Sequence, residues 1–151
     1  MFLTESEQTL QLNPNNANYI AALSLYLTMV GDWQRGVKMM DKAMRLNPHH
    51  PGWYHIVRFM NFYRQGKNDL ALIEARRFNT PEYFWDPLIR SAVLGQLDRR
   101  AQAKKAVDEL LALVPDFKRR GQSLIRRFAY LDKHVDALQD GLRSAGLELE
   151  T

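Results

Sequence analysis

Prolines recur along this chain at an almost constant interval, and that interval constrains the fold more than any other feature. They end apolar stretches at steps of 34, 33 and 34 residues, at Pro14, Pro48, Pro81 and Pro115. A turn-forming residue lies near the middle of each step, at Gly31, Gly66 and Asp98. A period of about 34 residues with a central turn is typical of stacked helical hairpins. The sequence therefore predicts an all-α array of antiparallel helix pairs, an architecture that usually provides a binding surface.

A small side chain follows each of these turns by five residues, at Gly36, Ala71 and Ala103. Two antiparallel helices joined by a short turn approach each other closely near that turn, and a small residue there permits close packing. Larger apolar residues recur on the same face of each second helix at helical spacing. We therefore expect a continuous core between the hairpins.

The period also predicts how the chain is organised as a single domain of residues 1–151. Residues 4–12 look like the second helix of a repeat whose first helix is absent, and 117–145 read as two helices that cap the array. Because a half-repeat exposes an apolar face, we expect the chain to be a fragment of a larger protein. The full repeats are predicted at 17–48, 51–79 and 82–114.

Composition argues against several classes of protein. The absence of cysteine excludes disulfide scaffolds and thiolate metal sites, and it fits a reducing cytoplasm. No stretch reaches the ~18 apolar residues of a membrane span, and the first residues lack the pattern of a signal peptide. The net charge is +4. Because no nucleic-acid-binding motif accompanies that charge, we interpret the basic residues as solvated helix faces and expect no direct contact with nucleic acid.

The first full repeat carries a recognisable set of residues. Leucine, small residues, tryptophan and proline stand at characteristic positions within 17–50, namely Leu23, Gly31, Trp33, Gly36, Ala43 and Pro48. This pattern resembles the tetratricopeptide repeat (TPR), which implies a right-handed superhelix of antiparallel helical hairpins. Phe59 stands where that family prefers a small residue, and Arg58 and Arg90 where it prefers leucine. These departures leave the helix phase of the second and third repeats open.

Whole strings of the sequence carry a further resemblance. LNPHHPGWYH, EARRFNTPEYFW, LGQLDRRAQA and LQDGLRSAGL look like the C-terminal TPR region of bacterial multidomain signalling proteins. In those proteins the TPR region follows a class III adenylate or guanylate cyclase domain, or a winged-helix DNA-binding domain. The resemblance implies a regulatory module in a bacterial cytoplasm, and it does not indicate which effector domain precedes it.

The candidate binding surface is the concave face of the array, which the first helix of each hairpin usually lines. The groove predicted there is apolar and aromatic, and it could take an amphipathic helix or an extended peptide. The alternative is that the helix phase differs by one position and that these residues belong to the core. The apolar candidates are Ala21, Leu25, Trp53, Ile56, Met60, Tyr63, Leu88 and Ala92.

Two arginines complete the set of candidates. Arg58 and Arg90 occupy equivalent positions in consecutive repeats, so they could lie one above the other and hold a carboxylate or phosphate. The alternative is that each pairs with an acid on its own or a neighbouring helix, such as Glu82 or Asp86.

No pattern in the sequence predicts catalysis, a metal or a cofactor. The spacing of His49, His50, His55 and His134 matches no metal motif, so we interpret these histidines as loop or surface residues. Glu74 and Asp108 are interpreted as solvated acids on helix faces. Phosphate loops, nucleophile elbows and dinucleotide-binding turns are absent from the sequence.

The leading hypothesis is therefore a non-catalytic module that binds a protein, a peptide or another domain of its own parent chain. The alternative is a homo-oligomerisation module, in which the exposed face near the first half-repeat pairs with a second copy to form a homodimer. An enzyme is a third possibility that nothing in the sequence supports.

Overall fold

Eight α-helices account for most of the chain that the computed structural model describes, which comprises residues 15–129 and 131–150. The half-repeat predicted at 4–12 lies outside the described residues. A short 3₁₀ helix, Gly52–Tyr54, precedes the third α-helix. The α-helices are α1 Ala17–Met29, α2 Trp33–Leu46, α3 His55–Arg64, α4 Asn68–Phe78, α5 Trp85–Gln96, α6 Arg100–Leu113, α7 Phe117–Arg126 and α8 Asp132–Ser144.

Helices α1 to α6 form three consecutive hairpins. Each odd-numbered helix packs against the next even-numbered one, and the hairpins contact each other in chain order. The residues at the three turns adopt the left-handed conformation, with φ of 92° at Gly31, 72° at Gly66 and 54° at Asp98. The prediction that Asp98 takes the place of a turn glycine is therefore confirmed.

Side-chain caps begin the two helices of the first hairpin. The side-chain oxygen of Asn16 accepts a hydrogen bond from the backbone N–H of Tyr19 at 3.2 Å. Asp32 accepts in the same way from the N–H of Arg35 at 3.3 Å. Both contacts satisfy backbone donors that the first turn of a helix leaves unpaired.

The two helices of the first hairpin meet at Gly36. A Cβ atom at this position would lie 2.5 Å from the side chain of Thr28 and 3.1 Å from the carbonyl oxygen of Ser24. The Ser24 hydroxyl donates to the Gly36 carbonyl at 2.6 Å and is itself fully buried. The small residue predicted here therefore allows α1 and α2 to touch through their backbones.

Helix α8 departs from the regular stacking. It packs mainly against α5, the first helix of the third hairpin. The backbones approach so closely that a Cβ atom at Gly95 or Gly141 would meet the backbone of the facing helix. The predicted capping segment therefore folds back over the first helix of the third hairpin, and it does not extend the array.

Tyr63 ties α8 to the second hairpin. Its hydroxyl donates to the carbonyl oxygen of Ala137 at 2.6 Å. Burial raises the pKa of this hydroxyl to about 12, so the group keeps its hydrogen at physiological pH. Helices α3 and α8 are therefore joined across 74 residues of sequence.

The apolar core runs through the stack in two parts. Ile20, Met40 and Val57 belong to the part around the first hairpin, whereas α3 to α8 surround the larger part. Trp53 and Ile56 pack against both parts. Within the described ranges, no helix has both the length and the apolar character that a membrane crossing requires.

The contact at Gly36 generates a first prediction. We expect Gly36→Leu to lower the free energy of unfolding by about 3 kcal/mol, because the new side chain must push α1 and α2 apart. Thermal and urea denaturation would measure the loss. Gln34→Leu places the same side chain at an exposed position of α2 and should change the stability by less than ~0.5 kcal/mol. Equal stabilities of the two variants would contradict the close approach.

Candidate functional site

An apolar cavity opens beside the first helices of the first two hairpins, with a volume of about 240 Å³. Residues of α1, α2 and α3 form one side of it. The start of α5, the connection after α7 and the first part of α8 form the other side. The folding back of α8 therefore converts one end of the predicted concave groove into a bounded cavity.

Four of the eight apolar candidates line this cavity. They are the partly exposed residues Leu25, Trp53, Ile56 and Met60. Met60 lies one helical turn from Ile56 on α3, so the two side chains share one face. The structure thus brings together four candidates, all of them from the first two repeats.

The other four apolar candidates do not form an open surface. Ala21, Leu88 and Ala92 are fully buried, and Tyr63 is 6% exposed. Ala21 packs within the core of the first hairpin, and α8 covers Ala92. For these positions the core alternative holds, because the first helices are packed on more than one side.

The cavity also contains residues that the sequence did not single out. Tyr83 and Phe128 lie at its mouth and are 39% and 42% exposed. The ring of Phe128 meets the ring of Trp85 edge-on, at a centroid distance of 5.8 Å. The only sequence signal for Phe128 is an aromatic residue next to the connection between two predicted helices, and periodicity gives no information there.

Two side chains, an imidazole and a guanidinium, contact the ring of Trp33 in the cavity wall. The imidazole of His134 meets the Trp33 ring edge-on at 5.1 Å, and the guanidinium of Arg64 lies 4.6 Å from the ring centroid. Burial lowers the pKa of His134, and the positive charges of Lys133 and Arg64 lower it further. The imidazole in the cavity wall is therefore neutral at physiological pH.

The two candidate arginines hold acids of the protein itself. Both Nε and Nη2 of Arg58 donate to Oδ1 of Asp41, at 3.0 and 2.7 Å. Arg90 donates to Asp86 at 2.7 Å and to Glu109 at 2.5 Å. The alternative of pairing with neighbouring acids is thus confirmed, and the shared anion site is not formed.

The position of Glu74 differs from the expectation that this acid is solvated. It is 4% exposed rather than solvated, and its carboxylate lies 2.6 Å from Nδ1 of His55 and 3.3 Å from Nη1 of Arg77. The Nε2 atoms of His55 and His50 lie 3.1 Å apart.

Three of the four histidines are also less exposed than the expected loop or surface positions. His50 and His55 are half-buried and His134 is buried, whereas His49 is exposed as expected. The described residues contain no group of three or more potential ligands that could hold a metal ion.

Comparison with known proteins confirms the fold class. No family model matches the chain, and no curated protein matches it significantly. A crystal structure of MamA matches with a TM-score of 0.65 and 15% identity, covering 93% of this chain and 85% of that one.

Two further structures agree. Another crystal structure of MamA matches with a TM-score of 0.64 at 16% identity, covering 97% of this chain and 84% of that one. The MamA RS-1 ArsTM double mutant gives 0.64 at 16%, covering 92% and 82%. The all-helical, TPR-like architecture predicted from the sequence is therefore confirmed.

The buried carboxylate of Glu74 generates a second prediction. We expect Glu74→Gln to lower the free energy of unfolding by about 2 kcal/mol, because a buried charged acceptor of hydrogen bonds is lost. Urea denaturation would measure the effect. Asp108→Asn is the matched control, since Asp108 pairs with Lys104 at a solvent-exposed position and such pairs contribute less than ~1 kcal/mol. A Glu74→Gln protein as stable as the control would contradict the role of this network.

The position of His134 generates a third prediction, on pH dependence. Its pKa in the folded protein lies below the ordinary 6.5, so the unfolded chain binds a proton that the folded chain does not. Stability must therefore fall as the pH decreases through about 6.5. We expect the melting temperature of His134→Gln to fall less between about pH 7.5 and about pH 5.5 than that of the wild type. His49→Gln, at an exposed position, should keep the wild-type slope, and parallel curves for all three proteins would contradict the prediction.

Proposed function

We propose that this chain is a non-catalytic protein-interaction module whose cavity receives a bulky apolar side chain from a partner protein. The observation that carries the proposal is an apolar cavity whose mouth displays two exposed aromatic rings, Tyr83 and Phe128. Large apolar groups at a concave surface are characteristic of sites that bind another molecule.

The packing around the cavity favours binding without large rearrangement. Most of its walls come from helices that the core already fixes, so little ordering is needed when a partner docks. Burial of one large apolar side chain stabilises a complex by roughly 1.5–3 kcal/mol. The exposed rings at the mouth would add contacts around that anchor, as the rims of protein interfaces do.

The chemistry of the lining supports a binding role over a catalytic one. Apart from Thr28 and His134, the residues around the cavity are apolar or aromatic. Neither of these two contacts a carboxylate or another potential nucleophile in any described hydrogen bond. A hydroxyl and an isolated imidazole without such partners lack the arrangement that activates a nucleophile.

The cellular context of the proposal rests on the sequence strings given above. They support a regulatory part of a bacterial multidomain signalling protein, acting in the cytoplasm beside a cyclase or winged-helix domain. The partner would then be another protein or a domain of the same parent chain. Homo-oligomerisation is the competing role, and its predicted surface includes residues 4–12, outside the described part.

A binding experiment tests the cavity as the docking site. A partner would be captured with the chain, identified and purified, and its affinity measured by calorimetry. We expect Met60→Glu to weaken binding at least about 30-fold, which corresponds to about 2 kcal/mol, because a carboxylate would have to be buried without a partner.

The control places the same charge away from the cavity. Lys105→Glu changes an exposed residue of α6, a helix that does not line the cavity, and should leave the affinity unchanged. Equal binding by both variants would remove the cavity from consideration as the docking site. A stable dimer of the wild type in light scattering, lost in neither variant and without any captured partner, would favour oligomerisation instead.

A further inference from the structure

A second pocket, with a volume of about 550 Å³, lies where α2, α3 and α4 meet. It shares no lining residue with the apolar cavity, and its volume is within the range of small-molecule sites. Its lining includes one arginine from each of these helices, namely Arg45 of α2, Arg58 of α3 and Arg77 of α4. Arg90 is not part of the lining, so this cluster differs from the arginine pair predicted from the sequence.

The positive charges at this pocket outnumber the negative ones. Arg58 pairs with Asp41, which also lines the pocket, and Arg77 pairs with the buried Glu74. Arg45 is exposed, and no acid of the described residues forms an ion pair with it. Because each carboxylate offsets one guanidinium, the third guanidinium leaves a positive charge without a counter-ion.

The two paired arginines are oriented by their acids and keep donors that are not used. Arg58 donates to Asp41 through Nε and Nη2, whereas its Nη1 lies 4.0 Å from Glu74, beyond hydrogen-bond distance. Arg77 donates to Glu74 through Nη1, and its Nε and Nη2 donate to none of the described residues. A ligand would therefore meet guanidiniums that are already in position, which lowers the ordering cost of binding.

The histidines form a fixed part of the pocket wall. The ring of His50 stacks on the buried ring of Tyr54 at a centroid distance of 5.3 Å. Its nitrogens contact the carbonyl oxygen of Asn47 and the ring of His55, and the other nitrogen of His55 contacts Glu74. All four ring nitrogens thus have partners within the protein, and the contacts available to a ligand come from the arginines.

We propose that this pocket binds the phosphate group of a small phosphorylated compound. A carboxylate presents two oxygens in one plane and can be held by a single guanidinium, whereas a phosphate accepts hydrogen bonds in several directions. Donors that come from three helices match a phosphate better. The volume leaves space for the rest of a small molecule beside its phosphate. This site needs no protein partner, so it goes beyond the proposed function.

A pair of anions tests the chemistry of the site. At about pH 7 methyl phosphate is largely a dianion, whereas acetate carries one charge on a planar group. We expect the full chain to bind methyl phosphate at least about ten-fold more tightly than acetate, the ratio provided by one additional charged hydrogen bond. NMR titration would measure both affinities. Methyl phosphate should also shift the Nε–H signal of Arg45 or Arg77.

Matched variants assign the binding to the pocket. Arg45→Gln and Arg77→Gln should each weaken the binding of methyl phosphate at least about five-fold, because each removes a charged donor. Arg76→Gln is the control. Arg76 is the neighbour of Arg77 on α4, is exposed and does not line the pocket, so its replacement removes the same charge and should leave the affinity unchanged.

Every other result overturns the proposal. Failure of methyl phosphate to bind would show that the arginines serve internal ion pairs only, and equal affinities for the two anions would remove the assignment to phosphate. Equal weakening by Arg76→Gln would show attraction to a positive surface without a defined site. A phosphoserine peptide bound much more tightly than free phosphoserine would assign the pocket to a phosphorylated protein.

The design also covers an unfolded variant and keeps the two proposals apart. If Arg77→Gln fails to fold, Arg45→Gln decides, because Arg45 has no ion pair within the described residues that its replacement could break. None of the replaced residues lines the apolar cavity, and the probes need no partner protein. Failure here is therefore distinct from failure of the proposed docking role.

Discussion

Close contact between the two helices of a hairpin is the constraint on which the rest of this structure depends. At Gly36 the absence of a side chain lets α2 reach the backbone of α1 near Ser24 and Thr28, and Ala71 and Ala103 are fully buried or nearly so at the equivalent positions. Because the two helices of each pair are in close contact, successive hairpins can stack on one another. The first helices of the hairpins then lie side by side, and other helices can pack against them.

The C-terminal helices use those faces in two different ways. Where α8 meets α5, glycines on both helices remove the space between the backbones, and the surface is closed. Nearer the first hairpin, aromatic rings from α5 and from the connection after α7 stand apart from α1 and α3, and a cavity remains. Helix α8 therefore fills one part of the predicted groove and forms a wall of the cavity that remains in the other part.

The sequence predicted the local features of the fold better than the site. Turn residues, helix caps and small residues at helix contacts affect only a few neighbouring positions, so their effects can be predicted from the sequence. The burial of Ala92 could not be predicted, because it depends on contact with α8, whose docking lies outside the repeat period. Glu74 was misplaced for a related reason: a carboxylate on a helix face indicates solvent unless its distant partner His55 is known.

The two imidazoles at the start of the second hairpin are linked in series between a backbone carbonyl and a carboxylate. Nδ1 of His50 lies 3.0 Å from the carbonyl oxygen of Asn47, and the Nε2 atoms of His50 and His55 lie 3.1 Å apart. Nδ1 of His55 lies 2.6 Å from the carboxylate of Glu74. Rotation of either ring would break two of these contacts at once, so the orientation of each ring depends on that of the other, between the connection after α2 and the middle of α4.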